Sequence, residues 1–169
     1  MDSSKAISAG DLLGRAPYLA EKLVKRLTER GELIVAAESC TAGLAADLIA
    51  RIPGASLVFW GSFVCYTGDA KDKMLGVPEA LISKHGAVSR PVALAMAEGA
   101  LEKSGAPWAF SVTGFAGPGG EAGTIWIGFA NREKKSQAKM FVFAGPRNDV
   151  RAAAAAAALE GLLELMKGY

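Results

Sequence analysis

Residues 34–50, IVAAESCTAGLAADLIA, constrain the fold more than any other stretch. An apolar run with the character of a buried strand passes through Glu38, Ser39, Cys40 and Thr41, then resumes with apolar residues at helical spacing. The turn between the two patterns admits two readings. Ser39 and Thr41 can cap the helix, because their hydroxyls accept hydrogen bonds from the free N–H groups of a first helical turn. Alternatively, Ser39 is a nucleophile held out of the fold at a strand-to-helix corner. The helix N-terminus there offers N–H donors and a positive partial charge to a developing anion.

The rest of the chain repeats the alternation. Residues 17–31, PYLAEKLVKRLTERG, put Leu19, Leu23, Val24 and Leu27 on one face opposite charges and end at Gly31, which reads as an amphipathic helix. Residues 57–66, LVFWGSFVCY, form one bent strand or two strand pieces around Gly61. Helical pieces follow at 69–76 and 78–86, with His85 and Gly86 marking a helix C-terminus. Ser89 stands where it can cap a helix over 90–105, in which Pro91 occupies an early position that needs no N–H.

Residues 107–114 and 124–131 read as strands, and 138–145 as a third that pairs with the second across the basic turn REKKSQAK at 132–139. The chain closes with a helix over 148–168, whose seven consecutive alanines at 152–158 favour helix and whose leucines give it a core face. The expectation is one α/β domain over 1–169, a three-layer α/β/α sandwich with a mixed sheet between helical layers.

Composition narrows the function. The chain has 169 residues and is 51% apolar, one ordinary domain with material for a full core. Lysine and arginine total 19 against 17 acidic residues, and the basic cluster at 132–139 has no interleaved aromatics, so no nucleic-acid partner is expected. No window reaches the apolar length of a membrane span, and residues 1–17 contain no signal-peptide stretch; a cytoplasmic protein is expected. Cys40 and Cys65 are too few for a disulfide framework and read as free thiols. A single histidine and the lack of any converging ligand spacing point to a protein that uses no metal and no cofactor.

Two further stretches carry possible chemistry. The loop TGFAGPGGEAGT at 113–124 can present backbone N–H groups to an anion. It lacks the Lys-Ser/Thr pair of a Walker loop and leads into a strand, so it stands equally as a plain strand-to-strand connection. CYTGDAKDKMLG at 65–76 holds Tyr66 and Lys71. Lys71 is either a solvated first-turn residue or, if buried beside Ser39, a base whose pKa is lowered by desolvation. With the one histidine at a helix end, lysine is the available alternative to a serine–histidine arrangement.

Taken together, AESCTAG at 37–43, YTGDAK at 66–71, KMLGV at 73–77, HGAVS at 85–89, ALAMAEGA at 93–100, VTGFAGPGG at 112–120 and GTIW at 123–126 are informative in their order. They resemble the C-terminal domain of the competence/damage-inducible CinA family, which includes stand-alone nicotinamide-nucleotide amidases. The resemblance implies hydrolysis of the amide of nicotinamide mononucleotide to nicotinate mononucleotide and ammonia, without metal. It assigns the nucleophile to Ser39, the base to Lys71, and help in proton transfer or orientation to Tyr66. Cys40, Thr41 and Ala42 would form the turn around the substrate, and Thr113, Gly114, Gly117, Pro118 and Gly119 would line its pocket. Arg147 and Arg151 match basic positions at the start of the last helix, where a guanidinium can take the 5′-phosphate. A homo-oligomer, such as a dimer, is expected.

The chain departs from the family pattern in four places. SCTAG replaces the usual SCTGG, so Ala42 stands where a glycine belongs in the turn. YTGDAK replaces YSNEAK, the loop after GPGG lacks the KPVGT-type insertion, and the nucleotide-like domain of longer members, with its separate hydrolase activity, is not carried over. Two rivals to an amidase stand beside this reading, the first of them favoured by Ala42 and the shortened loop. One is a non-catalytic nucleotide-binding or assembly module of the same fold. The other is a thiol enzyme using Cys40, a better nucleophile than serine once ionised.

Overall fold

Apolar residues on both faces of the central strands decide the layering. The computed structural model describes residues 7–119 and 121–168; residues 1–6 of the segment read for a signal peptide, and Gly120 of GPGG, lie outside the described residues. Six strands, β1 (Ile7–Ser8), β2 (Ile34–Glu38), β3 (Phe59–Val64), β4 (Trp108–Gly114), β5 (Thr124–Asn131) and β6 (Lys134–Ala144), lie in the order β1-β6-β5-β4-β2-β3. β2 is parallel to both β3 and β4, whereas β5 runs antiparallel to β4 and β6. All five residues of β2 are buried, Ile34 and Ala36 in one core and Val35 and Ala37 in the other. A strand covered on both faces needs a helical layer on each.

Helices α1 (Ala9–Leu13), α2 (Ala16–Arg30), α3 (Leu44–Ala50) and α7 (Arg147–Leu165) supply one layer. Helices α4 (Gly68–Leu75), α5 (Glu79–His85) and α6 (Arg90–Ser104) supply the other. The result is the three-layer α/β/α sandwich with a mixed sheet. Leu19, Leu23 and Leu27 of α2 are buried as the periodicity requires, each contributing about 1.5–3 kcal/mol of apolar transfer energy. Among the described residues, no helix is long and apolar enough to cross a membrane.

The departures from the sequence reading have local causes. α7 has no single core face: every alanine from 153 to 158 is buried, because the helix is wedged between the sheet and α1, α2 and α3. The basic segment is mostly strand, since β6 begins at Lys134 and leaves only Arg132 and Glu133 to turn the hairpin. β1 and α1, which the sequence reading did not assign, form because β1 finds the free edge of β6 and α1 packs Ala9 and Leu12 beside α7. Ser89 occupies the N-cap of α6 without capping it; its hydroxyl donates instead to the carbonyl of Gly86 at 2.9 Å.

The same layering seats the functional elements. β2, β3 and β4 are parallel, so their carboxyl ends fall on one edge of the sheet. α4 starts at that edge and its C-terminal end lies against α6 at Gly99, where any Cβ would collide with the carbonyl of Leu75. The glycine therefore sets how closely α4 approaches, and with it the placement of Lys71.

Candidate active site

Ser39 follows directly on β2, its N–H held by the carbonyl of Val112 in β4 at 2.9 Å. Thr67 caps α4 by accepting from the N–H of Ala70 at 3.1 Å. One turn into α4, Lys71 turns inward. Its Nζ lies 2.8 Å from Ser39 Oγ, 3.0 Å from the Cys65 carbonyl and 3.2 Å from the Tyr66 carbonyl. Lys71 is 1% exposed and Ser39 7%.

Burial lowers the pKa of Lys71 below the ordinary lysine range, because the ammonium loses its water and the hydroxyl and two carbonyls around Nζ carry no negative charge to replace it. Nζ donates to Ser39 Oγ, whose own hydroxyl reaches the Tyr66 carbonyl at 3.5 Å. Once neutral, the amine keeps two N–H groups for the two carbonyls and can turn its lone pair to the serine hydroxyl. The arrangement can take a proton from Ser39 and return it.

Ser39 does not cap α3, and neither does Thr41. α3 begins only at Leu44, after a turn in which Gly43 is the N-cap with φ 96° and no side-chain cap. The carboxylate of Glu38, fully buried at the end of β2, does that work. Oε2 accepts from the N–H groups of Gly43 (2.9 Å) and Ala45 (3.1 Å), and Oε1 from Ala46 (2.9 Å) and the Ser62 hydroxyl (3.0 Å). The sequence reading passed over Glu38, although a carboxylate closing an apolar strand just before a helix was a signal for such a role.

The N–H groups of residues 40–43 accordingly divide. Ala42 donates to the Ser39 carbonyl at 3.1 Å and Gly43 to Glu38, while those of Cys40 and Thr41 have no acceptor among the described residues. Arg151 fixes the turn from behind, donating from Nε to the Cys40 carbonyl at 2.8 Å and from Nη2 to the Thr41 carbonyl at 3.1 Å. Since a peptide C=O and N–H point in opposite directions, pinning the Cys40 carbonyl aims the Thr41 N–H away from Arg151. Arg151, one of the two arginines expected near the phosphate, is engaged with the turn, and its Nη1 donates to Asn148 Oδ1 at 3.2 Å. The Thr41 hydroxyl is buried and finds no partner among the described residues.

Ala42 adopts a left-handed φ of 50°, so the turn forms with alanine in the glycine position. That conformation costs an L-residue about 1–2 kcal/mol. Ala42→Gly should therefore raise stability by about 1 kcal/mol, after allowing for the greater freedom of glycine in the unfolded chain. Urea unfolding midpoints measure this, and a lower midpoint for the variant would contradict it.

Tyr66 reaches the pair through its carbonyl rather than its phenol. The ring is 56% exposed and its hydroxyl accepts from Arg147 Nη2 at 3.1 Å, while Arg147 Nη1 donates to the Gly117 carbonyl at 3.0 Å. Arg147 also borders a concavity of about 330 Å³ shared with Gly117, Pro118 and Gly145. Thr113 points to the α5–α6 connection, its hydroxyl donating to the Ala87 carbonyl at 2.9 Å, and Gly114 is packed too closely against Ile125 to admit a side chain. Pro118 and Gly119 are exposed on the loop.

Cys40 is placed unlike a nucleophile. Its side chain is 5% exposed in the core beneath α7, and burial pushes the thiol up to about 11 despite the positive charges of Lys71 and Arg151 nearby. Cys65 is raised by burial as well. Thiolates are scarce under those conditions.

An α/β/α sandwich with a buried serine–lysine pair at the carboxyl ends of its parallel strands is the class of protein that this fold and site define. The chain belongs to the CinA C-terminal domain family, whose family model matches residues 17–166. It is 41% identical over 149 residues to the nicotinamide-nucleotide amidohydrolase PncC of Escherichia coli strain K12, covering 85% of this chain and 90% of that protein. A CinA-like protein of Akkermansia muciniphila is 44% identical over 151 residues, 86% of this chain, which spans only 36% of that relative's length. Among solved structures, the competence/damage-inducible protein CihA of Agrobacterium tumefaciens superposes with a TM-score of 0.86 at 36% identity, over 96% of this chain and 99% of that one. A CinA superfamily protein of Escherichia coli superposes at 0.85 with 34% identity, over 89% and 90% of the two chains.

Proposed function

We propose that the chain hydrolyses the carboxamide of nicotinamide mononucleotide, releasing nicotinate mononucleotide and ammonia. The observation that carries this reading is the 2.8 Å approach of a buried lysine amine, its pKa lowered by desolvation, to a serine hydroxyl. The similarity to a nicotinamide-nucleotide amidohydrolase, over 90% of that protein, supports the choice of substrate.

In the first half-reaction, Lys71 takes the Ser39 proton as Oγ attacks the carboxamide carbon. The N–H groups of Cys40 and Thr41 receive the oxyanion, each such donor being worth roughly 3–4 kcal/mol in the transition state. Lys71 then passes its proton to the departing ammonia. In the second half-reaction, water attacks the Ser39 ester with Lys71 again as base, which frees the acid and restores the hydroxyl. Arg147 takes the 5′-phosphate and Arg151 braces the turn that carries the oxyanion donors.

Ammonia release from nicotinamide mononucleotide by the purified protein tests the reading, with Ser39→Ala and Cys40→Ala run beside the wild type. Ser39→Ala should lose at least about a thousandfold in kcat. Cys40→Ala should stay within a few-fold, because a thiol with a pKa of about 11 is not the nucleophile. An active Ser39→Ala with a dead Cys40→Ala would hand the chemistry to the thiol. No turnover in the wild type would favour the non-catalytic module.

A further inference from the structure

Strand register places an aromatic residue that none of the roles above uses, Phe115, on the same face of the sheet as the serine. The pairing of β2 with β4 sets Glu38 opposite Val112, so Ser39 stands level with Thr113. The Ser39 hydroxyl faces Lys71, and hence the α4–α6 layer, and the Thr113 hydroxyl faces the same layer through Ala87. Phe115 lies two residues beyond Thr113 and is still held to the end of β5, its N–H donating to the Thr124 carbonyl at 2.9 Å. Alternation along an extended strand therefore brings Phe115 to the face that Ser39 Oγ occupies, about 7 Å farther along the strand and about 4.8 Å across.

That is the mouth of the site. Phe115 belongs to neither hydrophobic core and is 43% exposed. Tyr66, the neighbouring exposed aromatic, is tied through its hydroxyl to Arg147 in the opposite layer. A carboxamide carbon in contact with Ser39 Oγ puts the ring that bears it just beyond the strand ends, at the level of Phe115.

We propose that Phe115 is the binding wall for the pyridinium ring of the substrate, stacking on a flat heteroaromatic cation and so selecting the oxidised, positively charged ring. The proposal rests on the amidase reading and adds its ring subsite. A positively charged aromatic gains both apolar contact and cation–π attraction from a phenyl face, whereas a neutral ring gains only the contact.

Calorimetric titration of nicotinamide mononucleotide into Ser39→Ala protein tests this without turnover. Adding Phe115→Ala should weaken binding roughly 3- to 30-fold, the range expected for a cation–π contact. Phe115→Tyr should keep the affinity, and Phe115→Leu, which keeps apolar bulk without a π face, should recover only the apolar contact and fall between alanine and phenylalanine. Dihydronicotinamide mononucleotide, whose ring is neutral, should bind weakly and lose little more when Phe115 is removed. With Ser39 present, Phe115→Ala should raise KM while leaving kcat within about threefold. Unchanged affinity in the alanine variant, or equal losses for the charged and neutral rings, would overturn the proposal while the amidase reading stands. A Ser39→Ala protein that binds no nicotinamide mononucleotide would overturn both.

Discussion

Lys71→Arg should lose at least about a thousandfold in kcat/KM, for reasons visible in the geometry. General-base catalysis contributes about 10²- to 10⁴-fold, and a nucleophile whose base is missing loses more because the two act as a unit. Arginine keeps the positive charge but cannot give up its proton at any pH the protein survives. Lys71→Met removes the amine and keeps the aliphatic stem, so turnover should vanish while nucleotide binding, measured by titration, persists. The pH dependence follows from the direction of the pKa shift. Only neutral Lys71 accepts a proton, so kcat/KM of the wild type should rise with pH through an ionisation below the ordinary lysine range. If Lys71 merely anchored the phosphate, the arginine variant would keep most of its rate and the methionine variant would show a raised KM at nearly unchanged kcat. A Lys71→Arg protein retaining a tenth of wild-type activity would sink the dyad.

The second large effect is on stability, at Glu38. Its carboxylate satisfies three backbone N–H groups at the start of α3 and the hydroxyl of Ser62, with no exposure to water. Glu38→Ala leaves all four donors without their acceptor, the Ala45 N–H fully buried and those of Gly43, Ala46 and Ser62 partly so. Charge-assisted hydrogen bonds contribute about 1.5–3 kcal/mol each, and their losses here overlap, so a destabilisation of about 4 kcal/mol is expected. For a domain of this size that lowers Tm by roughly 10–15 °C. Glu38→Gln keeps one carbonyl acceptor but turns an amide N–H₂ toward backbone donors, and should fall between the two. Thermal unfolding of both variants checks the ordering, and an alanine variant within 1 kcal/mol of wild type would mean that the carboxylate is not the cap. Activity should fall along with stability in the folded fraction, since the same turn orients the Cys40 and Thr41 N–H groups.

Much of the architecture could be read from local pattern. The strand and helix of 34–50, the amphipathic face of α2 and the Gly31 stop depend on neighbours a few residues apart, as side-chain periodicity and glycine's left-handed conformation do. The ordered motifs were likewise sufficient to name the family that the comparisons show. Pattern failed where the partner was distant. β1 exists because β6 offers an edge more than a hundred residues away, and α7 is buried on every side over 153–159 because three helices and the sheet converge on it.

The candidate site divides along the same line. Residue chemistry alone singled out a serine at a strand-to-helix corner and a lysine after the next strand, and it excluded no role for either. Tertiary structure decided what they are to one another. The parallel pairing of β2 with β3 brings two residues 32 positions apart to 2.8 Å, and the packing of α4 on α6 removes the lysine from water, which is what shifts its proton equilibrium. It also reassigned neighbours that look alike in sequence. Arg147 and Arg151 lie one helical turn apart, yet one reaches the glycine loop and the phenol of Tyr66 while the other grips the turn after Ser39. Sequence determined which functional groups were present and how the backbone would run between them. Their distances, desolvation and hydrogen-bond partners come from contacts between remote segments, and those contacts exist only once the sheet has closed and both helical layers have packed against it.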